Sequence, residues 1–172
     1  MTAPTPPAVV RVARAADVPT ILGFIRALAD YERLAHEVVA DEAALAATLF
    51  GPRPAAEVLL VEVAGRAHGF ALFFQSYSTF LGRPGLYLED LFVEPAARGQ
   101  GLGLALMAAL ARIAVDRGYG RFEWSVLDWN QPALEFYRAL GARPQDGWTV
   151  QRLTGAPLAT LAARWPHRID GT

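Results

Sequence analysis

The stretch LYLEDLFVEPAARGQGLG, residues 86–103, decides the fold. Its first half, 86–93, is apolar and reads as a buried strand that Glu94 and Pro95 end. Its second half sets Gly99, Gly101 and Gly103 at the mouth of an Ala/Leu-rich run, 102–117, that reads as a long helix. Glycine leaves loop amides unshielded and a helix start carries partial positive charge, so a phosphate can dock at such a junction. A pyrophosphate-bearing cofactor is therefore the first expectation. Taken alone the glycines are equally the mark of a strand-to-helix turn, and the surroundings must choose between the two.

Downstream, the helix stops at Gly118 and RFEWSV, 121–126, reads as the next strand. Strand, helix and strand at this spacing make a right-handed crossover with parallel strands. Asn130 can cap a fourth helix with Pro132 in its first turn, Leu134, Tyr137 and Leu140 at helical spacing, and Gly141 at its end. A last strand is expected over 148–153 and a short helix over 157–164.

Upstream, Gly82-Arg83-Pro84-Gly85 reads as a turn, and 57–63 and 67–75 as a hairpin closed at Ala64-Gly65-Arg66. Before these lie a short strand over 9–13 and a helix that Asp17 caps and that runs to about Asp30, followed by Tyr31, Glu32 and Arg33. Asp41 caps a second helix, 42–49, which stops at Gly51-Pro52. Residues 1–7, rich in Pro and Thr, read as a disordered lead, and 8–172 as a single domain. The order βααβββαβαβ is mixed α/β, with strands and helices layered against each other.

Composition prunes the chemistry. The net charge of −1 offers no basic field of the kind nucleic acid needs. The chain contains no Cys and no Lys, all 16 basic residues being Arg, so thiolate nucleophiles, Schiff-base lysines and Lys-bearing phosphate loops are excluded. Its three histidines, His36, His68 and His167, are too scattered for a metal-ligand pattern, and no metal is expected. The opening residues lack the charged start and apolar run of a signal peptide, and no apolar run approaches the roughly 20 residues that span a bilayer. The expectation is a cytoplasmic protein with no nucleic-acid or membrane partner.

With these motifs in order, the chain resembles the GCN5-related N-acetyltransferases. Arg98, Gly101 and Gly103 match that family's glycine loop, and Asn130, Ala133, Phe136, Tyr137 and Gly141-Ala142 match its second signature. Within the family it is similar to the branch that acetylates diamines such as spermidine, and to the thialysine acetyltransferases. Tyr31-Glu32, the LYLED of 86–90 with Phe92-Val93, Trp129-Asn130 with Pro132, and Gly147-Trp148 carry that likeness. Leu91 and Phe80 depart from the branch's pattern on the amine side.

The resemblance implies an α/β fold with a mixed, mostly antiparallel sheet, a central parallel strand pair and helices on both faces. It implies acetyl-CoA as donor, held by the backbone of Leu91, Phe92 and Val93 and by the loop Arg98, Gly99, Gln100, Gly101, Leu102 and Gly103, with Asn130 in the second signature. It implies an N-acetyltransferase acting on a small-molecule amine in a ternary complex, with Tyr137 as the acid for the leaving thiolate. Glu89, an acid inside an apolar strand, is the candidate base through water; equally, Glu89, Asp90 and Glu32 could hold the cationic amine without moving its proton. Tyr31 joins them as a candidate substrate residue. The competing readings are a protein or peptide N-acetyltransferase and an acyl-CoA sensor without turnover. A homodimer is expected by analogy, with 148–164 as the place to look for exchange between subunits.

Overall fold

The structure, a computed structural model, describes residues 7–164. Of the lead expected over 1–7 only Pro7 lies among them; the rest falls outside the described residues. By its contacts the chain divides between Ser125 and Val126 into two compact units.

The first unit holds a five-stranded sheet in sequence order: β1 (Val9–Val12), β2 (Glu57–Val63), β3 (Arg66–Ser78), β4 (Arg83–Val93) and β5 (Phe122–Trp124). The first four strands pair antiparallel and β4 pairs with β5 in parallel, the mixed and mostly antiparallel sheet expected. The parallel pair stands at the end of this order rather than at its centre, because no described strand lies beyond β5.

Both faces are covered by helices. On one, Val58, Leu60, Phe70 and Phe92 share a core with Ile21, Leu22 and Phe24 of α1 (Val18–Glu32) and Leu45 and Leu49 of α2 (Glu42–Phe50). Residues of opposite parity, Leu59, Val61, Ala71 and Phe73, are buried on the other, where α3 (Leu102–Asp116) packs on β2, β3 and β4 with Leu106, Met107 and Leu110 inward. At about 25 cal/mol per Å² of apolar area removed from water, these two layers supply the main stabilisation of the unit.

Local chemistry sets the element ends. Asp41 caps α2, its carboxylate accepting from the Ala44 amide at 2.8 Å. Asp17 sits at the start of α1 but does not cap it: its carboxylate takes Arg11 at 2.8 and 2.9 Å and the Arg14 amide at 2.7 Å. The ion pair wins because Arg11 is also fixed to Glu62 at 2.8 Å across the β1–β2 ladder. Helix α1 runs two residues past Asp30, so Tyr31 and Glu32 lie on its last turn, and Arg33 stops it in the left-handed region at φ 63°.

The turn expected over 82–85 lies instead over 79–82, between β3 and β4. Pro84 fits inside β4 because its position faces away from β3, where its carbonyl accepts from the Gly120 amide at 2.8 Å, so its missing N–H costs no β3 ladder bond. Strand β5 covers only Phe122–Trp124 of the expected 121–126.

The second unit carries α4 (Gln131–Ala139) and α5 (Gly155–Ala162). Asn130 caps α4 as expected, accepting from the Ala133 amide at 3.4 Å, and Gly141 follows the helix end at φ 88°. The strand expected over 148–153 is not formed. Its alternating apolar residues have no described ladder partner, and Trp148 and Val150 are 79% and 80% exposed. Among the described residues no helix is long and apolar enough to cross a membrane.

Candidate active site

Strand β4 is not continuous. Leu88 pairs with Phe73, and the next ladder partner, Leu72, takes Asp90, so Glu89 is an extra residue in a β-bulge. Because the pleat alternates, the bulge exchanges the faces of the strand. Leu86 and Leu88 lie with Phe73 on the α3 side, whereas Asp90 and Phe92 lie with Leu72 and Phe70 on the α1 side. Glu89 itself is exposed at the crossover point.

The bulge also ends the parallel pairing. β5 accompanies β4 from Leu86 to Leu88 only, so no described strand continues beside 89–93. The Glu94 amide bonds the His68 carbonyl at 2.9 Å, and by alternation Phe92 turns its main chain to β3 while Leu91 and Val93 turn theirs to the open edge. Of the three residues expected to hold the donor arm, two therefore turn their main chain to the open edge, where the Val93 carbonyl already accepts from Arg98 Nε at 3.1 Å and its amide is left for an added strand. Phe92 instead buries its side chain against Phe24, 6.0 Å between ring centroids.

The loop behaves as its glycines require. Gly99 and Gly101 adopt φ 76° and 78°, a left-handed backbone that a side chain disfavours, and Gly101 is the residue before the first turn of α3. No side chain caps that helix, and the first intrahelical bond runs from the Ala105 amide to the Gly101 carbonyl; the Arg98 amide is taken by the Pro95 carbonyl at 3.2 Å, so it is the amides of residues 99–104 that are available to an anion. Gln100 is exposed and Gly103 half-buried, whereas Leu102, at 2% exposure, has its side chain in the core and can offer only its amide. This donor set, uncapped amides beside an open strand edge, fits a diphosphate with an extended arm.

Arg98 leans back from the loop. Its Nε donates to the Val93 carbonyl at 3.1 Å, and its guanidinium carbon lies 4.8 Å from the centroid of the Tyr31 ring and 6.0 Å from that of Phe92. Tyr31 and Glu32 thus meet the end of β4. Burial pushes the Asp90 carboxyl up to about 6, and the charges of Glu89 and Glu32 push it further the same way. Burial likewise raises Glu32. Three carboxylates and a tyrosine from α1 and β4 are therefore brought together beside the open edge.

Nothing local in the sequence signals the Tyr31–Arg98 stack, since the two are far apart in the chain. The bulge had a sign: adjacent acids in an otherwise apolar strand, one of which a regular pleat would drive into each covered face. At the root of the loop, His68 Nδ1 lies 3.0 Å from Glu94, which also holds Arg66 at 2.8 Å, so His68 is a satisfied surface histidine as its isolation suggested. The other expected residues belong to the second unit. There Tyr137 is half-buried on α4 with its ring 5.3 Å from that of Phe136, and Asn130 caps the same helix. Among the described residues no group of His, Asp and Glu could hold a metal ion.

Comparison with known proteins places the chain in a family. The model of the acetyltransferase (GNAT) family matches residues 25–142, across both units. The chain is similar to the thialysine N-epsilon-acetyltransferase of Bos taurus, 37% identical over 90% of this chain and 97% of the relative. It is also similar to the L-ornithine N5-acetyltransferase of Arabidopsis thaliana, 34% identical over 88% of this chain and 86% of the relative. Among solved structures it resembles an integron cassette protein from the mobile metagenome of V. cholerae, with a TM-score of 0.76 and 26% identity, covering 90% and 97% of the two chains. The protein belongs to the GNAT acetyltransferase family and is an N-acetyltransferase.

Proposed function

We propose that the enzyme transfers acetyl from acetyl-CoA to a primary amine of a small molecule, such as a polyamine, a diamine or a thialysine-like amino acid, by direct attack in a ternary complex. One observation carries this reading: Glu32, Glu89 and Asp90 concentrate negative charge beside the open edge of β4, at the place where a cationic amine would meet a donor lying along that edge. The relatives named for thialysine and ornithine act on amino acids with a side-chain primary amine, which supports the same class.

In this reading the free amides of the 98–103 loop hold the pyrophosphate and the outward main chain of Leu91 and Val93 holds the arm of the donor, so affinity comes from backbone rather than side-chain charge. Acetyl-CoA supplies an activated acyl group. The amine, an ammonium with a pKa of roughly 10 by analogy with lysine, docks against Glu32, Glu89 and Asp90 and loses a proton before attack. Glu89, exposed at the bulge, takes that proton through water or serves with the other two only to hold the charge. Tyr137 gives a proton to the departing thiolate, with Asn130 fixing the start of the helix that carries it. Alignment of two reactants is the main contribution, in keeping with a chain that has no Cys or Lys nucleophile. The two units are proposed to act as one domain, since the family match crosses their boundary.

The test is CoA release with thialysine, ornithine, lysine, putrescine, spermidine and a lysine-containing peptide as acceptors. Turnover of diamines or diamino acids well above the peptide is expected. Faster turnover of the peptide would mark a protein acetyltransferase, and acetyl-CoA binding without release from any acceptor would mark a sensor.

A further inference from the structure

Three pieces of the first unit converge on one cation. The last turn of α1 contributes the Tyr31 ring, the end of β4 contributes the Val93 carbonyl and the Phe92 ring, and Arg98 reaches all of them from the loop. A guanidinium laid over a ring and bonded through Nε is oriented by the protein itself. Its position has an electrostatic consequence. Glu32 follows Tyr31 on the same turn, and its charge reaches Asp90 on β4, so the two carboxylates repel and tend to drive the end of α1 from the strand. The Arg98–Tyr31 stack resists that separation.

We infer that Arg98 is a positioning residue for the amine half of the site: through Tyr31 it holds the last turn of α1, and with it Glu32, against the end of β4 where Asp90 stands. The inference rests on the amine site proposed above. It also gives the loop two functions. Its backbone addresses the phosphates of the donor, and the side chain at its head sets the distance between the carboxylates that receive the acceptor. Arg98 then governs affinity for the amine more than affinity for the donor, the opposite of what a phosphate-binding arginine would do.

The test uses the full-length chain with Arg98→Gln, Arg98→Lys, Tyr31→Ala, Tyr31→Phe and Glu32→Gln. Arg98→Gln is expected to raise KM for the amine about tenfold while changing the dissociation constant of acetyl-CoA less than about twofold. Arg98→Lys, which keeps a cation near the ring but loses the planar stack and the Nε bond to Val93, is expected to recover only part of that loss. Independent of any substrate, hydrogen exchange is followed at the amides of Arg33 and Leu34, which close the end of α1 onto the Asp30 and Ala29 carbonyls at 3.1 and 2.8 Å. Exchange there is expected to rise about tenfold in Arg98→Gln and Tyr31→Ala and to stay near the parent rate in Tyr31→Phe, which retains the ring.

A tenfold weaker acetyl-CoA with unchanged amine KM overturns the inference, as does unchanged exchange in Arg98→Gln. Glu32→Gln separates this failure from failure of the amine site. If it raises amine KM while Arg98→Gln does not, the site stands and the positioning role falls. If neither moves amine KM, the amine site is misplaced and the inference falls with it.

Discussion

Asp90 carries a cost that its position explains. Its carboxyl is raised to about 6 by burial and by the charges of Glu89 and Glu32, against about 4 in an unfolded chain. Below pH 4 the group is protonated in both states and costs nothing. As pH rises through 4 to 6 the unfolded chain ionises first, and above 6 the folded state carries the full penalty, on the order of 1–3 kcal/mol. Asp90→Asn is therefore expected to stabilise the protein by that amount at pH 7 and by almost nothing at pH 3, read from urea unfolding at a series of pH values. Identical curves for parent and variant would refute the strained carboxyl. The same group predicts that amine KM rises as pH falls below 6, because the protonated acid no longer attracts an ammonium, and that the rise is smaller in Asp90→Asn. Tyr137 makes a separate prediction. Tyr137→Phe keeps the ring beside Phe136 and removes only the hydroxyl, so kcat is expected to drop about a hundredfold with Tm unchanged. A variant with parental kcat would take Tyr137 out of the mechanism.

The junction of β4, loop and α3 was legible as an element before it was legible as a site. Strand, glycines and helix followed from composition and spacing, and Asn130 and Asp41 followed from capping chemistry, because these are local effects written within a few residues. The bulge at Glu89 leaves only its two adjacent acids as a sign, because Leu86, Leu88 and Phe92 keep the same parity whether the strand is regular or interrupted, and with helices on both faces either register buries them. The short β5 follows from the same bulge, since the strand it pairs with leaves the ladder after Leu88. Asp17 has the residue type of a cap but does not act as one, because its partner Arg11 is set by a long-range ladder to Glu62. The glycines give a direct test. Gly101→Ala forces a side chain at φ 78° immediately before α3, which costs about 1–2 kcal/mol of stability and displaces the amides proposed to hold the donor. Its dissociation constant for CoA is expected to rise at least about tenfold by calorimetry. Binding equal to the parent would remove the loop from the donor site.

For the whole molecule, fold class was readable because hydrophobic periodicity and element order together leave few ways to layer the strands and their helices. What could not be read was the state of 148–153. Its alternation of Trp148 and Val150 has the period of a strand, yet a strand exists only where its backbone finds a partner, and none is described within the chain. Leu153 and, on α5, Leu158 and Leu161 are exposed as well, so the second unit leaves large apolar side chains uncovered in one contiguous part of the sequence. Exposed apolar surface of this kind is characteristic of association, and a segment with strand periodicity and no ladder can obtain one from a second copy. We propose a homodimer in which 148–164 pairs with the partner chain. Sedimentation at micromolar concentration is expected to give twice the monomer mass of 18.6 kDa. Trp148→Asp together with Val150→Asp, which places charge on both alternate positions, is expected to shift the equilibrium towards monomer by at least about tenfold in dissociation constant. A monomeric parent protein, or a dimer indifferent to both substitutions, would place the association elsewhere or abolish it.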